Sequence, residues 1–137
     1  MFDSFTFQTG ATAFIIAFAA AVAFFVAFKF IYQLVTPYHE SSLIRQGNTA
    51  AAVSLGGALI GFVLPLASAL SQTVSLMEFA LWAVLAGVIQ IVAFIVVSRL
   101  VYRGLAARIE AGEMAAGIYL GSISIGVGLL NAACMTA

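Results

Sequence analysis

The chain has 137 residues, of which 64% are apolar and 7% are charged, and its formal net charge at pH 7 is zero. An ordinary globular domain carries about 25% charged residues, which form its polar surface. This composition excludes a water-soluble domain with one apolar core, and the balanced charge gives no indication of nucleic-acid binding. The chain needs an apolar solvent, which indicates a membrane protein.

Four uncharged or nearly uncharged runs are long enough to cross a bilayer, since a hydrocarbon core about 30 Å thick is spanned by about 20 helical residues. The sequence predicts transmembrane helices over residues 9–35, 50–71, 78–102 and 114–135. We therefore predict an all-α integral membrane protein with a single domain, 1–137. The first run follows Asp3 and no basic residue, which is not the pattern of a cleaved signal peptide, so we expect that helix to be retained.

The connection after the first helix, "TPYHESSLIRQGNTAAA", carries helix boundaries and polar side chains. Pro37 ends the first helix, and Asn48 or Thr49 can cap the second. His39, Glu40 and Arg45 are either solvated surface residues or contacts for a cytoplasmic partner or a lipid headgroup. In the third connection, Arg99 and Arg103 are spaced four residues apart, which on one helical face would suit lipid phosphates.

The second and fourth helices are unusually rich in small residues. Gly57-x-x-x-Gly61 corresponds to Ser122-x-x-x-Gly126, and Gly117-x-x-x-Gly121 lies on a neighbouring face. Small residues four apart let two helices approach closely in a membrane. They pack these two helices together within one chain, or they also join chains in a homo-oligomer. The candidate contact residues are Ser54, Gly57, Gly61, Gly117, Gly121, Ser122 and Gly126.

The same segments show an internal repeat. "AAAVSLGGALIG" at 50–61 aligns with "AAGIYLGSISIG" at 115–126, an offset of 65 residues. We predict two repeats of two helices each, over about 9–71 and 78–135. Because an even number of helices returns the chain to its starting side, the two repeats are parallel and related by an axis along the membrane normal.

The distribution of basic residues predicts the orientation. Lys29 and Arg45 flank the first connection, and the third contains three arginines, whereas the second connection has no lysine or arginine. Loops rich in lysine and arginine stay in the cytoplasm. Both chain ends are therefore predicted outside. Tyr32 and Tyr38 are expected in the aromatic belt of the inner interface.

A few polar or special residues fall within or near the predicted spans. Lys29 either snorkels to the headgroups or serves as a functional cation at the cytoplasmic mouth. Gln90 makes an interhelical hydrogen bond or lines a pore. Asn131 and Pro65 pack structurally or line a small polar pocket on the outer side, near Cys134. Cys134 is expected to be a buried free thiol, with an intermolecular disulfide as the alternative.

Catalytic and cofactor motifs are missing from the sequence. One histidine and one cysteine do not make a zinc site of the usual kind, and no glycine-rich nucleotide loop ends in lysine followed by serine or threonine. We therefore expect a protein that is not an enzyme and that needs no metal or cofactor.

Three stretches, "TPYHE", "LIRQGNTAAAVSLGGALIGFVLPLASA" and "NAACMTA", resemble the YjfL-like family of small bacterial inner-membrane proteins, whose function is unknown. The resemblance spans nearly the whole chain. It implies four transmembrane helices and a gene often found near enzymes that resemble ATP-grasp peptide or polyamine ligases. It supplies no catalytic residue.

Two functions remain open from the sequence. The chain forms an oligomeric channel or transport component for a small ion or solute, whose pore lies between protomers and passes Gln90 and Asn131 or Lys29. Alternatively, it is a non-transporting scaffold that recruits cytoplasmic or envelope-modifying enzymes through Arg45, Arg99 and Arg103. Expected partners in either case are other copies of the chain and membrane lipids.

Overall fold

The computed structural model describes residues 4 to 136, and all the regular structure within that range is helical. The elements in chain order are α1 Ser4–Val35, α2 Glu40–Arg45, α3 Thr49–Gln72, α4 Leu76–Val96, α5 Leu105–Glu110 and α6 Met114–Met135. A π-helical turn, Val97–Val101, extends α4. Four of these helices, α1, α3, α4 with its extension, and α6, are long and apolar enough to cross a membrane. The predicted all-α membrane architecture is therefore confirmed.

The bounds of two spanning helices agree closely with those predicted from the sequence. α6 has the predicted bounds, and α3 extends the prediction by one residue at each end. Asn48 is the N-cap of α3, because its side-chain oxygen accepts a hydrogen bond from the Ala51 N–H at 3.0 Å. The start predicted for α1 is wrong, since this helix begins at Ser4 and its first turns are largely exposed.

α3 is the central helix of the bundle. It contacts every other helix from α1 to α6, and its closest partner is α6. We compared the most apolar 18-residue window of each helix. In α3, 56% of this window is buried, whereas in α1 only 6% is buried. In a membrane the exposed side chains of α1 face lipid, so α1 is a peripheral helix.

Aromatic rings attach α1 to the rest of the bundle. The Phe28 ring stacks on Phe62 of α3 with ring centroids 4.4 Å apart. One turn later, Tyr32 meets Phe94 of α4 edge to face at 5.1 Å. Both tyrosines of this region, Tyr32 and Tyr38, are buried inside the bundle. Their rings therefore pack inside the protein, and their predicted depth near the inner interface stays a prediction.

The two short helices have matching positions in the chain. α2 and α5 both have six residues, and α5 begins 65 positions after α2, as α6 begins 65 positions after α3. Each short helix is followed by a glycine with positive φ, Gly47 at 87° and Gly112 at 88°, a conformation that favours glycine. These spacings equal the offset found in the sequence. The duplication itself stays a prediction.

Asn48 connects these two parts of the chain. Besides capping α3, its side-chain NH₂ group donates to the carbonyls of Ile109 at 3.0 Å and Glu110 at 3.1 Å, at the end of α5. The two short helices consequently lie at the same end of the bundle, which we call the α2–α5 end. Whether this end faces the cytoplasm stays a prediction.

Candidate functional site

Glycines form the closest contact between α3 and α6. A Cβ added to Gly57 would overlap the backbone of Gly121, and one added to Gly117 would overlap the backbone of Ala50. Gly61 has the same constraint, because an added Cβ would lie 2.8 Å from the carbonyl carbon of Ser124. Only hydrogen fits at these positions, so the two backbones pack directly against each other, as small residues permit in membranes.

The register of this contact shows that α3 and α6 run parallel. Gly57 faces Gly121, 64 positions later, and Ala50 faces Gly117, 67 positions later. Near the other end, the Ser68 hydroxyl donates to the Ala132 carbonyl at 3.4 Å. Since the residue numbers on both helices increase together, the two helices cross the membrane in the same direction, and residues about 65 apart lie at the same depth.

Pro65 affects the α3–α6 contact through its missing N–H. In an α-helix the N–H of residue 65 would bond to the carbonyl of residue 61, so this proline leaves the Gly61 carbonyl free. An added Cβ at Gly128 of α6 would overlap that carbonyl. Gly128 thus allows α6 to approach the free carbonyl, where a Cα–H group can interact with it. The sequence reasoning did not identify Gly128.

Two of the predicted contact residues do not lie at this contact. Ser122 is exposed, and a Cβ added to Gly126 would meet nothing within 4 Å. Ser54 is buried, and its hydroxyl donates to the Ala51 carbonyl of its own helix at 3.3 Å. Contact within the chain therefore explains Gly57, Gly61, Gly117 and Gly121 but leaves Ser122 and Gly126 without a role in packing α3 on α6.

Ser122 instead lines a shallow groove on the outer side of the α3–α6 pair. The groove has a volume of about 310 Å³ and is lined by Val53, Gly56, Gly57, Ile60, Ile118, Gly121, Ser122 and Ile125. These eight residues form four pairs separated by 65 positions, such as Gly56 with Gly121 and Gly57 with Ser122. We call this surface the small-residue groove. It opens toward the surrounding membrane.

Gln90 and Asn131 are buried between helices of the same chain. The Gln90 Nε2 donates to the Ser124 carbonyl of α6 at 3.1 Å, while its Oε1 has no partner. The Asn131 side chain donates to the Ala86 carbonyl of α4 at 3.3 Å. Both amides therefore join α4 to α6. Their burial inside one chain does not support a path between protomers lined by these two residues, and a role of either residue in transport stays a prediction.

The other candidates for a pore or pocket lie on three different helices, α1, α3 and α6. Lys29 is half-buried, with its Nζ 5.8 Å from the centroid of the Phe30 ring. Pro65 is fully buried in α3. Cys134 is exposed and free, so the expectation of a buried thiol is wrong. Within residues 4 to 136, no group of three or more His, Cys, Asp or Glu side chains could hold a metal ion.

The predicted contacts for a partner or headgroup lie exposed at the α2–α5 end. His39, Arg45, Arg99 and Arg103 are all exposed. Arg99 lies in the π-turn, whereas Arg103 follows the end of the helix, so the predicted placement of these two arginines on one helical face is wrong. Among the described residues, the ion pair found is Arg108 with Glu113 at 2.7 Å.

A buried carboxyl lies at the same end. Glu40 is 1% exposed, and its Oε1 accepts a hydrogen bond from the Thr36 hydroxyl at 3.0 Å, while Oε2 has no partner. Burial raises the pKa of Glu40 from 4.5 to about 7, against smaller opposing effects of Thr36 and Lys29. Burial likewise raises the pKa of Tyr38 to about 12.

Comparison with known proteins places the chain in a family. The model of the family described as Domain of Unknown Function (DUF350) matches residues 6–135. The chain belongs to the DUF350 family. It is 40% identical over 119 residues to the UPF0719 inner membrane protein YjfL of Escherichia coli strain K12, covering 87% of this chain and 89% of that protein.

A second relative is less similar to this chain. The UPF0719 transmembrane protein YshE of Bacillus subtilis strain 168 is 29% identical over 117 residues, which cover 85% of this chain and 87% of YshE. No solved structure matches the chain. The predicted resemblance to the YjfL-like family is confirmed. The names of both relatives describe membrane proteins, which agrees with the membrane architecture of this chain.

Sequence reasoning treated Glu40 of this DUF350 chain as a surface residue. Its neighbours His39 and Ser41 are indeed exposed, and one charged residue in a polar loop is usually solvated. The register of the repeat was the signal in the sequence that could have indicated the burial of Glu40. Position 40 corresponds to position 105 at the offset of 65, and Leu105 is an apolar residue that is 0% exposed.

Proposed function

We propose that this DUF350 protein is a homo-oligomeric scaffold of the bacterial inner membrane, without catalytic activity of its own, that recruits cytoplasmic enzymes at its α2–α5 end. The observation that supports recruitment is that three arginines without an ion pair among the described residues, Arg45, Arg99 and Arg103, are exposed at one end of the bundle. These cations attract acidic protein surfaces and anionic headgroups.

The hydrogen bonds of Asn48 favour a rigid recruiting surface. Because Asn48 caps α3 and bonds to the end of α5, the two short helices are held together at the α2–α5 end. A partner that binds both connections would therefore lose little entropy in ordering them. The proposed orientation of the protein puts its basic loops in the cytoplasm, as expected for loops rich in lysine and arginine.

Oligomerisation in this proposal uses the small-residue groove. Gly56 has no atoms within 4 Å of its missing Cβ, and Ser122 is exposed, so a helix of a second copy can pack against this surface. A second copy is the proposed occupant of the groove. If lipid fills it instead, changes in the groove leave the number of subunits unaffected.

Photocrosslinking in cells tests recruitment. A photoreactive residue placed at Arg45 or Arg103 should capture a discrete cytoplasmic partner, whereas one placed at Gln72, at the opposite end, should not. Capture should be lost when the remaining arginines of the set are changed to glutamate. Equal capture at both ends, or capture that survives charge reversal, would contradict the scaffold.

Counting subunits in lipid nanodiscs tests the oligomer. Ser122→Leu and Gly56→Leu fill the groove and should lower the subunit number. Ala23→Leu makes a comparable change at an exposed position of α1 outside the groove and should leave the count unchanged. A wild-type monomer, or groove variants that assemble normally, would overturn this part of the proposal.

A transport role is the second candidate, favoured by the unpartnered Oε1 of Gln90 in the middle of α4. Buried polar groups at membrane depth often mark ion or proton pathways. Flux from liposomes that contain the protein decides between the two. A measurable flux that falls in Gln90→Leu supports transport, whereas absence of flux in the wild type rejects it.

A further inference from the structure

Glu40 occupies a position that the fold otherwise fills with an apolar side chain. It is the first residue of α2, as Leu105 is the first residue of α5, and both side chains are almost completely buried. A second buried position shows the same difference at the offset of 65, since Tyr32 corresponds to Val97, which is 8% exposed. At positions 32 and 40 a polar side chain thus replaces a buried apolar one, so the fold does not require polar groups at these two positions.

Several polar atoms at and near Glu40 have no hydrogen-bond partner. They are the Tyr32 hydroxyl, the Tyr38 hydroxyl and the Glu40 Oε2, each on a side chain that is at most 5% exposed. Ser54 is near enough to the Tyr38 hydroxyl to interact with it but does not meet hydrogen-bond geometry. The three side chains lie close enough for their charges to interact. Buried polar atoms without partners are costly and rare in folded proteins, and finding three together indicates a site that binds something.

The charge around Glu40 indicates what that ligand is. Lys29 is the basic residue whose field reaches Glu40, but no ion pair joins them. A buried carboxylate without a paired cation is strongly unfavourable, and such a group takes up a proton instead. Protonation also converts Oε2 from a hydrogen-bond acceptor into a donor. A surrounding hydroxyl oxygen can accept the new hydrogen bond after a small shift of the side chains or through a bridging water.

We propose that Glu40, with the hydroxyls of Tyr32, Thr36 and Tyr38, forms a proton-binding site at the α2–α5 end of the bundle. The carboxyl binds one proton at Oε2 and releases it to the adjoining solution. The groups that face it are Lys29 and Tyr32 from α1 and Tyr38 from the following connection, while Glu110 of α5 acts on Tyr38.

The exchange falls in the physiological range of pH. Because burial raises the pKa of Glu40 to about 7, the site changes between a neutral and a charged form near neutrality. A cavity of about 400 Å³, lined by Gln33, Thr36 and His39 among others, reaches Glu40 from the surface and offers a route for the proton. This site does not depend on either proposed function, since both a scaffold and a transporter could contain it.

Infrared difference spectroscopy on the full chain in nanodiscs tests the site directly. We expect a protonated-carboxyl band that titrates with a midpoint near 7 and is absent in Glu40→Gln. The matched control is Glu78→Gln, which removes an exposed carboxyl at the start of α4 and should leave the band intact. The absence of the band in the wild type, or its survival in Glu40→Gln, would overturn the proposal.

Two further measurements remove the remaining alternatives. Tyr32→Phe keeps the ring against Phe94 but removes the hydroxyl. We expect the midpoint of the titration to rise, because the carboxylate loses a polar neighbour. An unchanged midpoint would contradict the role of this hydroxyl.

Replacing an organic cation by Na⁺ or K⁺ at constant ionic strength should not move the midpoint. A lower midpoint in Na⁺ or K⁺ would show that the site binds a metal cation and would overturn the assignment to a proton.

Discussion

Gly57 of α3 and Gly121 of α6 meet backbone to backbone, so closely that a Cβ on Gly57 would overlap the Cα and carbonyl group of Gly121. The neighbouring residue, Gly56, points away from this contact and has nothing within 4 Å of its missing Cβ. Two adjacent glycines on one helix thus have different physical roles. This difference gives a matched pair of substitutions.

Gly57→Ala should destabilise the bundle by about 2 kcal/mol, the usual cost of overpacking a tightly packed contact. Gly56→Ala should change stability by less than about 0.5 kcal/mol, as expected for a substitution without a steric conflict. Thermal unfolding of both variants in the same detergent measures the difference. Equal effects of the two substitutions would show that α3 and α6 do not pack through Gly57.

Gln90→Leu should change stability by no more than about 1 kcal/mol, because polar contacts between membrane helices contribute roughly 0.6 kcal/mol on average. Leucine fills a similar volume and also removes the unpartnered Oε1. Gln90→Ala leaves a cavity between α4 and α6 and should cost about 2 kcal/mol or more. Unfolding by denaturant separates the two, and a large loss in Gln90→Leu alone would assign the stabilisation to the hydrogen bond with Ser124.

Stability should depend on pH through Glu40. Its pKa is raised from 4.5 to about 7 in the folded protein, so the folded state holds the proton more tightly than the unfolded state. The stabilisation is complete below pH 4.5, decreases as the pH rises, and is lost above about 7. The loss amounts to roughly 3 kcal/mol, since one pKa unit corresponds to 1.36 kcal/mol.

Glu40→Leu introduces the residue found at the matching position 105 and should abolish this decrease. We expect the variant to fold and to be more stable than the wild type at pH 8, because no charge is buried. Melting temperatures of the wild type, Glu40→Leu and Glu78→Gln at several pH values provide the measurement. A decrease that persists in Glu40→Leu would assign the pH dependence to another group.

Phe28→Ala should loosen α1 from the bundle. The Phe28 ring is 4% exposed and stacks on Phe62, so its removal should cost about 3 kcal/mol. Phe30, two residues later, is 59% exposed and offers the control, because Phe30→Ala removes a ring that faces lipid. Crosslinking between cysteines placed on α1 and α3 should fall in the first variant and not in the second.

Features that depend on local composition and chain length could be predicted without the structure. Four apolar runs of sufficient length predict four spanning helices, because the bilayer thickness sets the length and no partner is needed. Asn48 as a cap depends on a hydrogen bond within one turn, which is also local. The family resemblance likewise followed from short motifs.

The buried side of each helix, by contrast, became known only from the way the helices pack together. In water, an alternation of polar and apolar residues reveals the buried face, but a helix in lipid is apolar on every side and loses this signal. Gly57 faces α6 while Ser122 faces the membrane, although the two occupy matching positions in the repeat. Glu40 is buried because the connection after α1 folds back so that α2 contacts α3, and the packing of one helix on another is not encoded in any local pattern.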